Sequence, residues 1–226
     1  IIYYIRHARR RAVVLATTSM GDVLLDSLRR EIVSGRLSPG ESLRQDEIAR
    51  SFGVSHVPVR ETFIRLQAEG LVEIRPRRGA IVAALSAAEV EDLNDMRSAL
   101  ECCALRIAIP KIGDADLRKA AQVLDRLDRD RSRWADFNTD FHSILYKPAA
   151  RPRLLRAILT LQRNVARYIH REVEVTNNFA ESQRQHRKLL TLIKGARVAE
   201  ACALLHDHIA EPGNVLVSEL RKAGYQ

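Results

Sequence analysis

Strand signals occur at one place in this chain of 226 residues. Leu71-Val72-Glu73-Ile74-Arg75 alternates apolar and polar side chains, and Ala80-Ile81-Val82-Ala83 is a second apolar run. Between them lies Pro76-Arg77-Arg78-Gly79, a segment of turn residues. Two short runs about such a turn predict a β-hairpin. Every other periodic stretch repeats at 3.6 residues, which confines the chain to a mainly α fold with one small hairpin.

The elements before the hairpin have a definite order. From Asp22 to Val33, Val23, Leu24, Leu28, Ile32 and Val33 fall at helical spacing, and Ser34-Gly35 ends the helix. A short helix follows over Gln45 to Phe52 and stops at Gly53. Ser55 is placed to cap a third helix from about His56 to Glu69, with Pro58 in its first turn and Gly70 closing it. Helix, helix, turn, helix, hairpin is the order of a winged helix-turn-helix, here residues 21–83. After it no strand signal remains. Ser86-Ala-Ala-Glu89 opens a helix towards Ile109, and further helices fit 114–129, 132–146, 152–175, 179–194 and 197–222. Pro212-Gly213 is expected to kink or split the last one. Residues 84–226 are therefore expected to form an all-helical bundle.

Residues 1–20 combine apolar residues with Arg6, Arg9, Arg10 and Arg11. A secretory signal would place its charges first and a longer apolar run after them, so this segment is expected to be a basic arm. The longest apolar runs fall well below the roughly 20 residues of a membrane span, and no membrane partner is expected. Cys102, Cys103 and Cys202 form neither a disulfide framework nor a CxxC pair. Cys102 and Cys103 are expected as small buried residues of a cytoplasmic protein. The net charge of +9 suits a polyanionic partner. Yet residues 21–82 carry ten basic groups against nine acidic ones. Charge alone therefore argues weakly, and the motifs must carry the case.

A helix that reads DNA needs an exposed leading end with donors for base edges and phosphates, and an apolar face that holds it rigid. The helix from His56 offers Ser55, His56 and Arg60 at its start, and Val59, Phe63 and Leu66 on its inner face. The hairpin tip Arg77-Arg78-Gly79 suits a minor groove. Residues 23–82 resemble the GntR family of winged-helix regulators. The resemblance is carried by Ile32-Val33-Ser34-Gly35-Arg36-Leu37-Ser38-Pro39-Gly40-Glu41, Glu47-Ile48-Ala49, Gly53-Val54-Ser55-His56-Val57-Pro58-Val59-Arg60-Glu61, Glu69-Gly70-Leu71-Val72 and Arg77-Arg78-Gly79. It implies DNA contacts from Arg44, Ser55, His56, Pro58, Arg60, Arg77, Arg78 and Gly79. The family usually carries Arg where His56 stands, which leaves the base read at that position open. Arg65 is open to either a DNA contact or a solvated helix face.

The histidines of the helical half form a second constellation. Asn138 and His142 are four apart and share a helix face; His186 and His208 lie on two later helices. Three imidazoles and an amide oxygen can converge inside a bundle, and imidazole suits zinc, nickel or similar ions. Core histidines without metal are the plain alternative. Residues 86–220 resemble the FCD domain, the effector-binding half of FadR-type GntR proteins. The matching stretches are Asp95-Met-Arg97-Ser-Ala-Leu-Glu101, Asp140-Phe141-His142, His186-Arg-Lys-Leu-Leu-Thr-Leu-Ile193 and His208-Ile209. The resemblance implies a divalent metal held by Asn138, His142, His186 and His208. The first of these positions is usually Asp, and a neutral amide is expected to weaken the site. Asp140 points to another face, and His206 is expected to stand apart. Arg97 lies in position to line an effector pocket or to pair with Glu101. Arg167 and Tyr168 are further candidates to meet a carboxylate effector, with a solvated face as the alternative.

These readings describe a transcriptional regulator, not an enzyme. It is expected to bind double-stranded operator DNA as a homodimer and to act as a repressor released by a small organic acid. A metal-free fatty-acyl sensor is the alternative. A metal-dependent enzyme is a weaker one, since no general base accompanies the histidines.

Overall fold

The computed structural model describes residues 19–76, 79–84, 86–176 and 179–225, apart from the side chains of 132 and 166–176. The expected basic arm, all but its last two residues, lies outside the described residues, as do Arg77 and Arg78. The chain divides into two compact units, Ile1–Leu85 and Ser86–Gln226. No described helix is long and apolar enough to cross a membrane.

The first unit contains α1 (Met20–Val33), β1 (Ser42–Leu43), α2 (Gln45–Phe52), α3 (His56–Ala68), β2 (Val72–Arg75) and β3 (Gly79–Val82). Ser19 caps α1 by accepting from the Asp22 amide at 3.2 Å. Gly53 ends α2 in the left-handed conformation at φ +66°. One core is formed by Leu24 and Leu28 of α1, Ile48 and Phe52 of α2, and Val59 and Phe63 of α3, with one face of the hairpin, Val72, Ile74, Ala80 and Val82, closing over it. The sheet is antiparallel in the order β1-β3-β2, with Glu73 opposite Ile81 and Leu43 opposite Ala80. Sequence patterning gave only the hairpin. Strand β1 is two residues long, too short to show a period, and forms because Leu43 is drawn into the core beside Ala80.

Gly79 opens β3 at φ +89°, and a Cβ there would sit 2.3 Å from the Leu43 carbonyl oxygen. The resemblance gave this residue a place at the DNA-facing tip; the fold gives it a structural reason as well. Gly79→Ala must push β1 away from β3 and also adopt a left-handed backbone. It is expected to destabilise the protein by about 2 kcal/mol or more. Urea unfolding followed by circular dichroism would check this, and an unchanged transition would contradict it.

The second unit contains, among the described residues, α4 (Ala87–Ala108), α5 (Asp114–Arg129), α6 (Trp134–Tyr146), α7 (Pro152–Thr176), α8 (Phe179–Lys194) and α9 (Val198–Lys222), with short 3-10 turns between several of them. Ser86 accepts from the Glu89 amide at the start of α4. Helix α4 packs on α9, α7 and α6, while α5 packs on α6 and α8. The core between them includes Leu105, Leu124, Phe141, Leu145, Leu189 and Leu205. Two expectations need correction. Helix α9 runs through Pro212 as one element, so the pair does not split it. Gly213 beside it is buried, and a Cβ there would meet the Asn94 side chain at 1.8 Å, so the Pro-Gly pair stands where α9 and α4 approach closely. Cys103 is exposed and Cys102 only half-buried, because the buried stripe of α4 runs through Arg97, Glu101, Ala104 and Leu105 and leaves position 103 outside it.

Candidate nucleic-acid interface and metal centre

Helix α3 is held at both ends and along one side. Val59, Thr62, Phe63 and Leu66 are buried against the core. Near its C-terminal end, Glu69 accepts two hydrogen bonds from Arg29 of α1, at 2.6 and 2.7 Å. Arg65 reaches Asp22 of α1 at 2.8 Å. At the other end the Gln45 amide of α2 donates to the His56 carbonyl at 2.8 Å. What remains exposed are the side chains of the leading end. Ser55, His56, Val57 and Arg60 are exposed, and Pro58 is half-buried. Ser55 stands at the N-cap position, but its hydroxyl caps no amide, so both stay available to another partner. Val57 is 64% exposed. His56 Nε2 lies 3.3 Å from Asp46 Oδ1, and Arg44 Nε lies 3.6 Å from Glu47. Arg60 makes no ion pair among the described residues. Its guanidinium is thus uncommitted, whereas Arg65 ties α3 to α1.

Within the helical unit, His142 of α6, His186 of α8 and His208 of α9 come together. One ligand nitrogen from each lies within 4.8 Å of the others. The neighbouring groups decide which nitrogen that is. Gln183 donates its amide N–H groups to Asp128 at 2.7 Å and to the Leu124 carbonyl, which turns its oxygen to His186 Nδ1 at 3.1 Å. Gln185 donates to Glu211, which turns its oxygen to His208 Nδ1 at 2.7 Å. The Tyr146 hydroxyl donates to Glu101 at 2.8 Å and so accepts from His142 Nδ1 at 3.2 Å. Each Nδ1 therefore carries the proton, and each Nε2 presents a lone pair inward.

This leaves acceptors facing acceptors. His186 Nε2 and His208 Nε2 are 3.1 Å apart, and His142 Nε2 is buried with no hydrogen bond. The Asn138 oxygen, one turn before His142, is also buried and unpartnered. Buried acceptors without donors are costly, and a cation among them removes the cost. Protons are a poor choice. Burial, aided by His186, His208 and Arg97, holds His142 well below the usual imidazole range. Burial and His208 do the same to His186. Burial and Arg97 bring His208 down to about 4. A divalent metal fits instead: two nitrogens bound tetrahedrally at about 2.0–2.1 Å lie roughly 3.3 Å apart. Three imidazoles and one amide oxygen suit zinc, nickel or cobalt rather than magnesium or calcium.

The same shifts set a pH dependence for the metal-free protein. The unfolded chain takes up protons on these histidines below about pH 6.5, while the folded chain resists them. Stability is therefore full above that pH and falls as pH drops towards 4. A loss of about 2–5 kcal/mol between pH 7 and pH 5 is expected in urea unfolding. A flat profile would contradict the buried neutral trio.

Glu101 anchors the surroundings. It is fully buried and accepts from Arg97 Nε at 2.8 Å, from Tyr146 and from the Gln162 amide at 3.1 Å. Burial and the Glu101 carboxylate push the Tyr146 hydroxyl well above its ordinary range, so it stays a donor. Arg97 thus does pair with Glu101, but through Nε alone. Its two terminal nitrogens carry no hydrogen bond among the described residues. Asp140 is exposed and stands apart from the histidines. His206 lies outside the trio and bonds Ser98 at 2.5 Å. The side chains of Arg167 and Tyr168 lie outside the described residues. Sequence reasoning missed Tyr146, Gln162, Gln183 and Gln185. Tyr146 was within reach of it, since Asn138, His142 and Tyr146 follow one another at steps of four.

Comparison with known proteins covers both units. Residues 22–82 match the family of bacterial regulatory proteins called gntR, and residues 92–211, over half of the chain, match the FCD domain. The chain belongs to the GntR family of bacterial regulatory proteins and carries an FCD domain. The HTH-type transcriptional repressor RspR of Escherichia coli (strain K12) is 37% identical over 123 residues, which are 52% of this chain and 54% of RspR. The chain thus matches about half the length of that relative. The uncharacterized HTH-type transcriptional regulator BphR of Paraburkholderia xenovorans (strain LB400) is 30% identical over 204 residues, 84% of this chain and 82% of BphR. Among solved structures, E. coli McbR/YncC superimposes with a TM-score of 0.79 at 21% identity, covering 90% of this chain and 99% of that one. This last likeness speaks for the fold. The matched families and named relatives are regulators of transcription, not enzymes.

Proposed function

We propose that the chain is a sequence-specific transcriptional repressor of the FadR subfamily, acting in the cytoplasm. It binds double-stranded operator DNA as a homodimer, each protomer inserting the leading end of α3 into a major groove. Ser55, His56, Pro58 and Arg60 meet bases and phosphates there, and Arg44, Arg77, Arg78 and Gly79 flank them. The exposed side chains at the start of a helix held at both ends, with Ser55 capping no amide, support this reading.

The helical unit is the sensor. Asn138, His142, His186 and His208 would hold a divalent metal, which when bound supplies a Lewis-acidic position for an anionic ligand. Arg97, whose terminal nitrogens carry no hydrogen bond among the described residues, grips the ligand's carboxylate, and Arg167 and Tyr168 are further contacts. A small organic acid is thus the effector, and its differential affinity for the two states of the dimer sets DNA affinity. The observation that carries the sensor is the set of inward-facing, unpartnered acceptors: Asn138 Oδ1, His142 Nε2 and the opposed Nε2 atoms of His186 and His208.

Metal analysis of protein purified without chelator tests it. About one zinc, nickel or cobalt per chain is expected, together with release of bound DNA on adding the right acid. Protein that neither retains nor takes up any such metal would overturn the metal site and leave the metal-free sensor in its place.

A further inference from the structure

Among the described residues, α4 and α9 pack on each other more extensively than any other two elements. Their contacts run down one helix and up the other. Cys102 meets Cys202, Ser98 bonds His206 at 2.5 Å, Asn94 packs at Gly213, and Glu91 accepts from Arg221 at 2.8 Å. The two helices are therefore antiparallel, and the cysteines form one rung between them.

Two of the chain's three cysteines thus face each other. The Cys102 thiol donates to the Cys202 carbonyl at 3.4 Å, and the Cys202 thiol donates to the Cys102 carbonyl at 3.7 Å. Both residues are half-buried. A disulfide needs Cβ atoms that face one another and Cα atoms within about 7 Å. Reciprocal reach from thiol to carbonyl brings the two residues face to face. A turn about each Cα–Cβ bond moves the sulfurs from the carbonyls towards one another. Only two weak thiol–carbonyl bonds are given up in that turn. Cys103 is exposed on another face of α4, outside the rung.

We infer that Cys102 and Cys202 are a reversible oxidation site, which closes to a disulfide within the chain when a hydroperoxide reaches the seam between α4 and α9. The inference goes beyond the regulator reading and needs neither metal nor DNA. The Cys202 thiolate attacks the peroxide: an S–O bond forms, the O–O bond breaks, and water or an alcohol leaves. The Cys102 sulfur, giving up its proton, then attacks the sulfenic sulfur. An S–S bond forms, the S–O bond breaks, and the departing hydroxide takes up that proton as water. The two thiols are oxidised and the peroxide is reduced. First attack falls to Cys202 because burial, with Cys202 and Glu101 close by, pushes the Cys102 thiol up to about 11. In a reducing compartment the pair rests as thiols and closes only under oxidant. Arg97 and Glu101 precede Cys102 on α4, and His208 follows Cys202 on α9. Closure therefore fastens together two of the helices that build the buried histidine site.

The test treats the full chain with hydrogen peroxide and maps its tryptic peptides by mass, before and after dithiothreitol. Cys102 and Cys103 share the peptide 98–106, so a Cys103→Ser protein is mapped beside the wild type. In both, a linked pair of peptides 98–106 and 198–221 is expected, lighter than its parts by the hydrogens lost and released by dithiothreitol. On a non-reducing gel the linked protein is expected to run as a single chain. Its melting temperature is expected to rise by about 5–10 °C. Cys102→Ser and Cys202→Ser proteins are expected to show neither the link nor the rise, their remaining thiols going on to sulfinic acid. Separate oxidation of Cys102 and Cys202 with no link in the Cys103→Ser protein would overturn the inference. So would a link that disappears in the Cys103→Ser protein, or one that joins two chains.

Discussion

Replacing His142 by alanine is expected to abolish stoichiometric zinc binding and the stabilisation that zinc confers. Metal held at about a hundred times its Kd stabilises the binding state by about 2.7 kcal/mol, worth roughly 6–10 °C in the melting temperature of a unit this size. The comparison must be made within each variant, with and without metal. Loss of a buried ring also leaves a cavity and takes away the N–H that the Tyr146 oxygen accepts, which lowers the metal-free baseline. Asn138→Asp is the informative counterpart. A carboxylate at this buried position gives the ion a charged ligand in place of a neutral one, and zinc affinity is expected to rise at least about tenfold. The metal-free form of that variant is expected to be less stable than the parent, because the new charge has no partner without the ion. Opposite signs for the two forms would be hard to explain by packing. An Asn138→Asp protein that binds zinc no better, or a His142→Ala protein that still gains several degrees from zinc, would contradict the site.

Arg60→Ala is expected to cost operator binding about tenfold to a hundredfold while leaving stability within about 0.5 kcal/mol of the parent. The residue is exposed at the leading end of α3 and makes no ion pair among the described residues, so the fold loses little with it. Arg65→Ala provides the contrast. Arg65 bonds Asp22 of α1 at 2.8 Å, and its loss is expected to touch stability slightly and DNA affinity little. Arg60→Lys separates two kinds of contact. A bidentate grip on guanine is lost with lysine, whereas a phosphate contact is largely kept. Anisotropy titrations on one operator would place all three variants. Equal effects of Arg60→Ala and Arg65→Ala would show that the leading end of α3 has no special part.

Much of this molecule was legible in its sequence, for identifiable reasons. Helix α3 announced itself through Val59, Phe63 and Leu66 at helical spacing and through Gly70 at its end, and the hairpin through alternation about Pro76 to Gly79. The histidine trio was legible only through resemblance, since Asn138 and His142 share a helix but His186 and His208 meet them across the bundle. The groups that fix the imidazole tautomers were less accessible. Gln183 and Gln185 are ordinary polar residues in sequence, and their roles come from Asp128, Leu124 and Glu211 turning each amide one way round. Strand β1 was hidden by its length. Cys103 was misplaced because an apolar residue in a helical run need not lie on the stripe that the packing selects. Periodicity reports local faces; orientation of a neutral polar group is a property of the assembled interior.

The central claim is that the free end of α3 selects one DNA sequence over others. The most direct measurement compares the full chain's affinity for its selected operator with that for a scrambled duplex of the same composition, across a range of salt. A preference of about a thousandfold or more that persists as salt weakens both is the predicted result. Equal affinities falling together along one salt line would contradict it.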